Sequence, residues 1–279
     1  MDFADRLSIN QYSVRQLSLA DFVAQCQKQQ IPYVGLWRDK VSAAGGATRA
    51  RALVEDCGLK ISSLCRGGFF PYDNEAQRQK SIDENRRAID EAAELGTQLL
   101  VLVCGGVSSA GLSASRGMVA AGIAELVPYA TERDVKLGIE PLHPMFAADR
   151  SVVTTLAEAQ DLATQFPNDI VGVVVDTYHV WWDAALEREV VRAGNRILGY
   201  HVSDWIVPLP DILNGRGLMG DGCIDFRTIS GLIAQVGYTG PIEVEIFNQE
   251  LWRLPGRTAV ERIKQRFLDR VPAQPLSNR

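Results

Sequence analysis

Several features that mark whole classes of protein are missing from this sequence. Lysine and arginine form no cluster and the formal net charge is −5, so the basic face expected of a nucleic-acid-binding protein is absent. No apolar run approaches the ~20 residues that a membrane-spanning helix needs, and no cationic segment leads into an apolar one as in a signal peptide. We therefore expect a cytoplasmic protein that binds neither nucleic acid nor a membrane.

Cysteine and histidine are also scarce. The five cysteines are odd in number, scattered and without CxxC spacing, which favours reduced thiols over disulfide bonds. The chain has only three histidines: His143, His179 and His201. These are too few for a cluster of several histidine-bound metal ions, so any metal site is expected to be mononuclear and to draw mainly on carboxylates.

Apolar, β-branched runs alternate with amphipathic segments along the chain. Eight runs have strand character, at 6–14, 33–37, 60–66, 98–104, 136–142, 171–177, 197–203 and 241–247. Several are apolar at consecutive positions, which is typical of parallel strands buried on both faces. Helical spacing fills the segments between them, at 19–26, 48–57, 81–95, 116–133, 154–166, 184–192 and 226–236. This βα alternation predicts a parallel sheet.

A closed (β/α)8 barrel and an open, doubly wound sheet both satisfy this alternation. We favour the barrel because eight strand–helix repeats within 279 residues match a fold of roughly 250 residues. No interdomain linker is visible, so we predict a single barrel domain over residues 1–271. The polar, proline-containing segment 272–279 is predicted to be a poorly ordered tail.

Rare residue types concentrate just after the predicted strands. The histidines lie at or just beyond the carboxyl ends of the fifth, sixth and seventh strands. The five tryptophans also follow strands: Trp37, Trp181, Trp182, Trp205 and Trp252. Because active sites of barrels are built at the carboxyl ends of the strands, this pattern predicts an aromatic-walled pocket with converging polar groups. Asp149 and Arg150 are interpreted as an exposed ion pair rather than as a pair that holds substrate.

Four ionisable residues lie in the apolar strands five to eight. They are Glu140 in KLGIEPL, Asp176 in VGVVVDT, His201 in ILGYHVS and Glu245 in PIEVEIF. A buried carboxylate is costly unless it is paired or bound to a metal, and a structural ion pair explains any one of them alone. Four on consecutive strands converge at the barrel mouth and together predict one divalent metal. Three carboxylates and an imidazole suit Mn2+, Mg2+ or Co2+ and also admit Zn2+.

An ordered set of motifs resembles a known superfamily. In chain order the motifs are GIEPLHP, VVVDTYH, GYHVSD, RGLMGDGCIDF and IEVEIF. They resemble the sugar phosphate isomerase/epimerase superfamily, whose xylose isomerase-like barrels include ketose 3-epimerases, inosose isomerases, dehydratases and endonuclease IV. The resemblance covers nearly the whole chain and implies a metal-dependent enzyme acting on a small sugar or keto-sugar. Mn2+ is the expected ion. The resemblance is also compatible with a homo-oligomer or with a small partner subunit.

The resemblance also implies roles for individual residues. The four ionisable residues named above take the family's metal-ligand positions. His179 takes a position that contacts substrate or supports the metal site, and Arg216, in the pattern R-x-x-x-G-x-G, that of an arginine holding substrate hydroxyls. The implied chemistry is removal of the proton next to a carbonyl and its return through a metal-stabilised enediolate, moved by Glu140 and Glu245. Rim indoles are expected to stack on the sugar: Trp182 and Trp205.

Three departures from the ketose epimerases leave the reaction open. His143 stands where they usually have asparagine, Met219 where they have proline, and the segment 201–216 is longer. The first departure favours an alternative in which His143 is the base of an elimination, as in a lyase, a dehydratase or a C-glycoside deglycosidase subunit acting on a 3-keto-sugar. Two further alternatives are DNA repair of the endonuclease IV type, which the acidic charge opposes, and a sugar-binding barrel without catalysis.

Overall fold

Eight parallel strands close into one barrel, and their positions follow the apolar segments of the sequence. The computed structural model describes residues 3–272. The barrel strands are β1 Leu7–Asn10, β2 Tyr33–Trp37, β3 Lys60–Gly68, β4 Leu99–Val103, β5 Lys136–Glu140, β6 Val171–Asp176, β7 Ile197–Val202 and β10 Ile242–Val244. Strand β10 pairs with both β7 and β1 and so closes the ring. The predicted (β/α)8 barrel is confirmed, and the open sheet is excluded.

Helices occupy the connections between the strands. They are α1 Leu19–Lys28, α2 Arg38–Ala43, α3 Ala47–Asp56, α4 Glu75–Leu95, α5 Leu112–Glu132, α6 Leu156–Ala163, α7 Thr177–Val180, α8 Leu186–Ala193, α9 Phe226–Gln235, α10 Gln249–Arg253 and α11 Gly256–Arg270. Among residues 3–272, no helix is both long enough and apolar enough to cross a bilayer. Apart from Pro272, the predicted tail 272–279 lies outside the described residues, and the boundary after residue 271 stays a prediction.

Two barrel strands, the first and the eighth, are several residues shorter than the sequence predicts. The first ends at Asn10, because the Asn10 Oδ1 accepts a hydrogen bond from Tyr12 N at 3.0 Å and the chain continues as a 3-10 helix, Gln11–Val14. The eighth ends at Val244. The Glu245 N–H still donates to Val202 O of β7 at 3.2 Å, but the N–H of Ile246 donates to the side chain of Ser13, at 2.8 Å from Oγ. Glu245 is therefore the first residue beyond the strand rather than a residue within it.

The barrel interior contains a buried carboxylate, Glu243, that sequence reasoning did not single out. It is 2% exposed. Its oxygens accept hydrogen bonds from Asn10 Nδ2 at 2.7 Å, Ser62 Oγ at 2.7 Å and Ser63 Oγ at 2.8 Å. Gly35 lies directly against it, since a Cβ at this position would be 2.1 Å from Glu243 Oε1. The interior thus supplies enough donors to hold an ionised carboxylate away from water.

A short antiparallel ladder follows β7 at the barrel mouth. It is formed by β8 Asp204–Trp205 and β9 Arg216–Gly217. The carboxylate of Asp204 is fully buried and accepts hydrogen bonds of 2.8–3.1 Å from three backbone N–H groups of segment 220–224. The ladder and these bonds fix the backbone at Arg216 and in the segment that follows it, and so support the side chain where it enters the site.

Candidate active site

The four predicted metal ligands meet at one point of the barrel mouth. Glu140 and Asp176 are the last residues of β5 and β6. His201 is the last residue but one of β7, and Glu245 directly follows β10. Each offers one ligand atom, and these atoms all lie within 4.8 Å of one another. All four residues are buried. Parallel pairing accounts for the convergence, because Asp176 lies opposite His201 in the register of β6 and β7.

Two atoms of this cluster lack a hydrogen-bond partner among the described residues. Glu140 Oε1 and His201 Nδ1 are both buried and make no hydrogen bond, although they lie 3.2 Å apart. The spread of the ligand atoms is close to the ~4.2 Å that separates opposite ligands of one small divalent ion bound at about 2.1 Å. Three carboxylate oxygens and one imidazole nitrogen therefore fit a single divalent cation.

Arg216 offsets part of the negative charge of the cluster. Its Nη1 donates to Asp176 Oδ2 at 3.1 Å and to Glu245 Oε2 at 3.0 Å. The guanidinium lies over the rings of Tyr178 and Phe247, with both centroids 4.6 Å away. These contacts orient a fully charged fork toward the ligands. The structure thus brings Arg216 to the cluster, and its contact with substrate stays a prediction.

His179 bridges Arg216 and the chain after β5. Its Nδ1 accepts a hydrogen bond from His143 N at 3.2 Å, which assigns the ring proton to Nε2. That Nε2 lies 3.7 Å from Asp176 Oδ2 and 3.1 Å from Arg216 Nη2. Burial lowers the pKa of His179 to about 3, so the ring is neutral at physiological pH. The ring can therefore orient its neighbours without adding charge.

Without a bound cation, burial and nearby charges alter the proton affinities of the cluster. Burial raises the pKa of Glu245 to about 7, against the opposing effect of Arg216 and with a further increase from Glu140. Burial lowers the pKa of His201, but the carboxylates of Glu243 and Glu140 outweigh it and raise the value to about 10. An arriving cation must therefore displace a proton from His201 at neutral pH.

A small cavity lies beside the cluster and adjoins a larger groove. The cavity has a volume of about 40 Å³ and is lined by Glu140, Glu245 and Arg216 among others. The groove has a volume of about 640 Å³ and is formed by residues that follow β2 and β3 and by α4. Trp37 and Arg66 line both. The groove falls within the range of ligand pockets, roughly 300–1,000 Å³, so the small cavity suits the reacting end of a molecule that extends into the groove.

His143, Trp182 and Trp205 form an aromatic cluster beside this cavity. The ring centroid of His143 lies 4.8 Å from that of Trp205 and 5.5 Å from that of Trp182. His143 Nδ1 accepts from Met145 N at 3.2 Å, and Trp182 Nε1 donates to His179 O at 2.8 Å. For the part of the chain that the structure describes, none of the three lines the small cavity. Their catalytic and substrate-binding roles stay predictions.

Two residues that line the cavity, Arg66 and Phe247, were not singled out from the sequence, and Arg150 was interpreted as a member of an exposed ion pair. Arg66 enters from β3, Phe247 from the segment after β10, and Arg150 from the loop after β5. The expected ion pair is loose, with Arg150 Nε 3.9 Å from Asp149 Oδ2, and Arg150 also faces the cavity. No local pattern distinguishes such an arginine from a solvated one, since distant segments decide what covers its side chain.

The chain matches known proteins over most of its length. The sequence profile of the xylose isomerase-like TIM barrel family matches residues 20–270. The 3-dehydroshikimate dehydratase of Pseudomonas putida is 27% identical over 226 residues, which make up 78% of this chain and 34% of that protein. The inosose isomerase of Bacillus licheniformis is 24% identical over 211 residues, 73% of each chain. The chain thus spans about a third of the length of the two dehydratases that it matches.

Solved structures extend this likeness to three dimensions. Protein SMc04130 of Sinorhizobium meliloti 1021 is 44% identical, with a TM-score of 0.93 over 97% of this chain and 100% of that one. The IolI protein with a binding zinc atom shares the fold at 20% identity, with a TM-score of 0.84 over 95% of this chain and 98% of that one. The curated relatives named as enzymes include dehydratases, inosose isomerases and L-ribulose-5-phosphate 3-epimerases. The chain belongs to the xylose isomerase-like TIM barrel family.

Proposed function

We propose that the chain is a divalent-metal-dependent sugar isomerase or epimerase, which moves a proton next to the carbonyl of a ketose, a keto-cyclitol or a sugar phosphate. The observation that carries the proposal is the buried cluster of Glu140, Asp176, His201 and Glu245, whose ligand atoms lie within 4.8 Å of one another. The isomerases and epimerases among the relatives support it.

The four cluster residues would hold the cation. We expect Mn2+, with Mg2+, Co2+ and Zn2+ as alternatives, because the donor set is mostly oxygen. The unpartnered Glu140 Oε1 and His201 Nδ1 support this assignment, and the zinc atom of the solved IolI protein supports a metal in a barrel of this fold. When bound, such an ion acts as a Lewis acid that makes the C–H next to a carbonyl more acidic.

Glu140 and Glu245 are the proposed proton carriers. Glu140 ends β5 and Glu245 directly follows β10, and these two strands are three places apart in the barrel order. Their carboxylates would therefore flank a substrate that lies over the cluster. One carboxylate removes the proton next to the carbonyl and the other returns a proton. Return to the same carbon from the opposite face gives epimerisation, and return at the neighbouring carbon gives isomerisation.

Arg216 and His179 are the proposed substrate-holding pair. Arg216 Nη1 is engaged by the carboxylates of Asp176 and Glu245. Its Nη2 carries two N–H groups, and the side-chain contact of this atom among the described residues is with His179 Nε2 at 3.1 Å. Nη2 can therefore donate a second hydrogen bond to a substrate hydroxyl or carbonyl oxygen.

Elimination from a keto-sugar or keto-cyclitol is the second candidate function. The identity to 3-dehydroshikimate dehydratase favours it, because the same initial proton removal can be followed by loss of a substituent one carbon further on. In this alternative His143 is the base. Since its Nδ1 accepts a hydrogen bond from Met145 N, Nε2 carries the ring proton. Nδ1 would therefore be the nitrogen that takes the proton, after it releases this hydrogen bond.

Metal analysis and proton exchange test these functions. Metal-loaded protein is incubated with ketoses, inososes and 3-keto-glycosides in deuterated water, and exchange and products are followed by NMR. We expect one tightly bound ion per chain and deuterium in an isomerised or epimerised product, whereas an unsaturated product would establish the elimination. The Glu245→Gln variant should lose 10²–10⁴-fold in exchange rate, and Glu132→Gln, which changes a carboxylate at the exposed end of α5, should lose nothing. Absence of exchange with every compound would refute both functions.

A further inference from the structure

Two arginines line the small cavity without a close carboxylate partner among residues 3–272. Arg66 and Arg150 both border the space next to Glu140, Glu245 and Arg216. Neither guanidinium makes a side-chain hydrogen bond to the described residues, and their one ion pair is the 3.9 Å contact between Arg150 and Asp149. Two cations held near each other and near a cavity are costly unless an anion is brought between them.

Arg66 is placed in the cavity by an irregularity of β3. The register of β3 against β4 shifts between Cys65 and Gly67, so Arg66 is the extra residue of a bulge. Such bulges redirect a side chain and are frequent next to active sites. The guanidinium packs 4.1 Å from the ring centroid of Phe69, and Nη1 is buried without a hydrogen-bond partner in the described structure. Its position is thus fixed, while a donor is left unsatisfied.

Arg150 reaches the cavity from a loop that is fixed at its backbone. Its N–H donates to Phe146 O at 2.9 Å, and its carbonyl accepts from Gly105 N at 2.8 Å. The guanidinium lies 5.8 Å from the ring centroid of Phe146. Burial lowers the pKa of Arg66, and the nearby charge of Arg150 lowers it further. The two side chains are therefore close enough to repel each other.

Among the described residues, the carboxylates of the adjoining groove form no ion pair with these arginines. Glu84 forms an ion pair with Arg38 at 2.7 Å, and Asp39 accepts a hydrogen bond from Tyr12 Oη at 3.1 Å. The cluster carboxylates are engaged as well, because they surround the proposed cation site and two of them accept hydrogen bonds from Arg216. Among the described residues, no carboxylate therefore lies within hydrogen-bond distance of Arg66 or Arg150.

We propose that Arg66 and Arg150 form an anion subsite, which binds a carboxylate or phosphate group of the substrate. The inference rests on the proposed function, because the cluster would hold the reacting carbonyl while the arginines hold the charged end. Arginine binds both kinds of anion through paired N–H donors. A neutral sugar would leave the two guanidinium groups unsatisfied, so the subsite selects anionic keto-compounds over neutral ones.

Equilibrium binding to the metal-loaded protein tests the subsite. Three probes are titrated by calorimetry: D-fructose, D-fructose 6-phosphate and 5-keto-D-gluconate. We expect at least one anionic probe to bind more than tenfold more tightly than D-fructose and to weaken as salt is added. Arg66→Met and Arg150→Met should each weaken anion binding about 10–100-fold and weaken D-fructose binding much less. Arg257→Met removes an exposed arginine paired with Glu261 on α11 and should have no effect.

The outcomes separate the source of the anion and the two proposals. Tighter binding of D-fructose 6-phosphate identifies phosphate, and tighter binding of 5-keto-D-gluconate identifies carboxylate. Equal affinity for all three probes, or failure of both anions to bind at all, overturns the subsite even if proton exchange occurs. Arginine-dependent anion binding without proton exchange upholds the subsite and refutes the proposed function. Thermal unfolding of each variant checks its fold, and Arg66→Lys and Arg150→Lys, which keep the charge, should retain part of the affinity.

Discussion

The side-chain amide of Asn10 donates a 2.7 Å hydrogen bond to Glu243 deep in the barrel. The same Nδ2 lies 3.2 Å from Glu245 Oε1, and Asn10 Oδ1 accepts from Trp37 Nε1 at 2.9 Å. Asn10 therefore links the interior carboxylate, one member of the proposed metal cluster and an indole of the cavity wall. Such contacts orient a ligand before the metal arrives.

Replacing Asn10 with alanine should weaken metal binding about 10–100-fold. Glu245 would lose a hydrogen bond that orients it, and Glu243 would lose one of its three donors. Calorimetric titration with Mn2+ measures the effect. Gln16→Ala is the matched control, because its amide donates to Leu254 O at the surface and should leave affinity unchanged. Equal affinity in Asn10→Ala and the unchanged protein would contradict the linkage.

Metal affinity should rise with pH between about pH 6 and 9. The pKa of His201 is raised to about 10 and that of Glu245 to about 7, so His201 holds a proton throughout this range and Glu245 holds one below about pH 7, and a cation must displace them. The sign follows because a higher pH removes those protons in advance. Titration in two buffers of different ionisation enthalpy measures the protons released, and we expect at least one per ion near pH 7. A pH-independent affinity without proton release would show that His201 is not a ligand.

Gly35→Ala should destabilise the fold by about 1–3 kcal/mol. The added Cβ would lie 2.1 Å from Glu243 Oε1, so the carboxylate would have to leave its hydrogen bonds. Thermal or urea unfolding measures the change. Gly117→Ala is the control, because its Cβ meets nothing within 4 Å on α5, and it should stabilise the helix by roughly 0.5–1 kcal/mol. Equal stability of the two variants would refute the contact.

His143→Asn should retain most of the turnover. The imidazole packs against Trp182 and Trp205 and lies outside the lining of the small cavity, so its loss should affect packing more than proton transfer. Turnover is measured on a ketose and a 3-keto-glycoside with metal content checked. A loss of 10²–10⁴-fold would instead identify His143 as a general acid or base and favour elimination.

Expectations about cytoplasmic location, nucleic acid and oligomeric state stay predictions.

The choice between Glu243 and Glu245 illustrates what a local pattern leaves open. The two carboxylates are separated by one residue, so strand alternation directs both to the same face. They differ in depth along the barrel: Glu243 meets Asn10, Ser62 and Ser63, while Glu245 reaches the cluster. The motif IEVEIF supported Glu245, but the partners of Glu243 became visible only in the folded ring.

The sequence by itself determined the barrel and the convergence of Glu140, Asp176, His201 and Glu245. Strands buried on both faces require consecutive apolar residues, and the carboxyl ends of eight parallel strands lie on one face, so polar residues at the inward positions of those ends converge at the mouth. Only the tertiary structure decided that Arg66 and Arg150 share a cavity while His143 packs among indoles. Those positions depend on a bulge in β3 and on where separate loops meet, and no local periodicity encodes either.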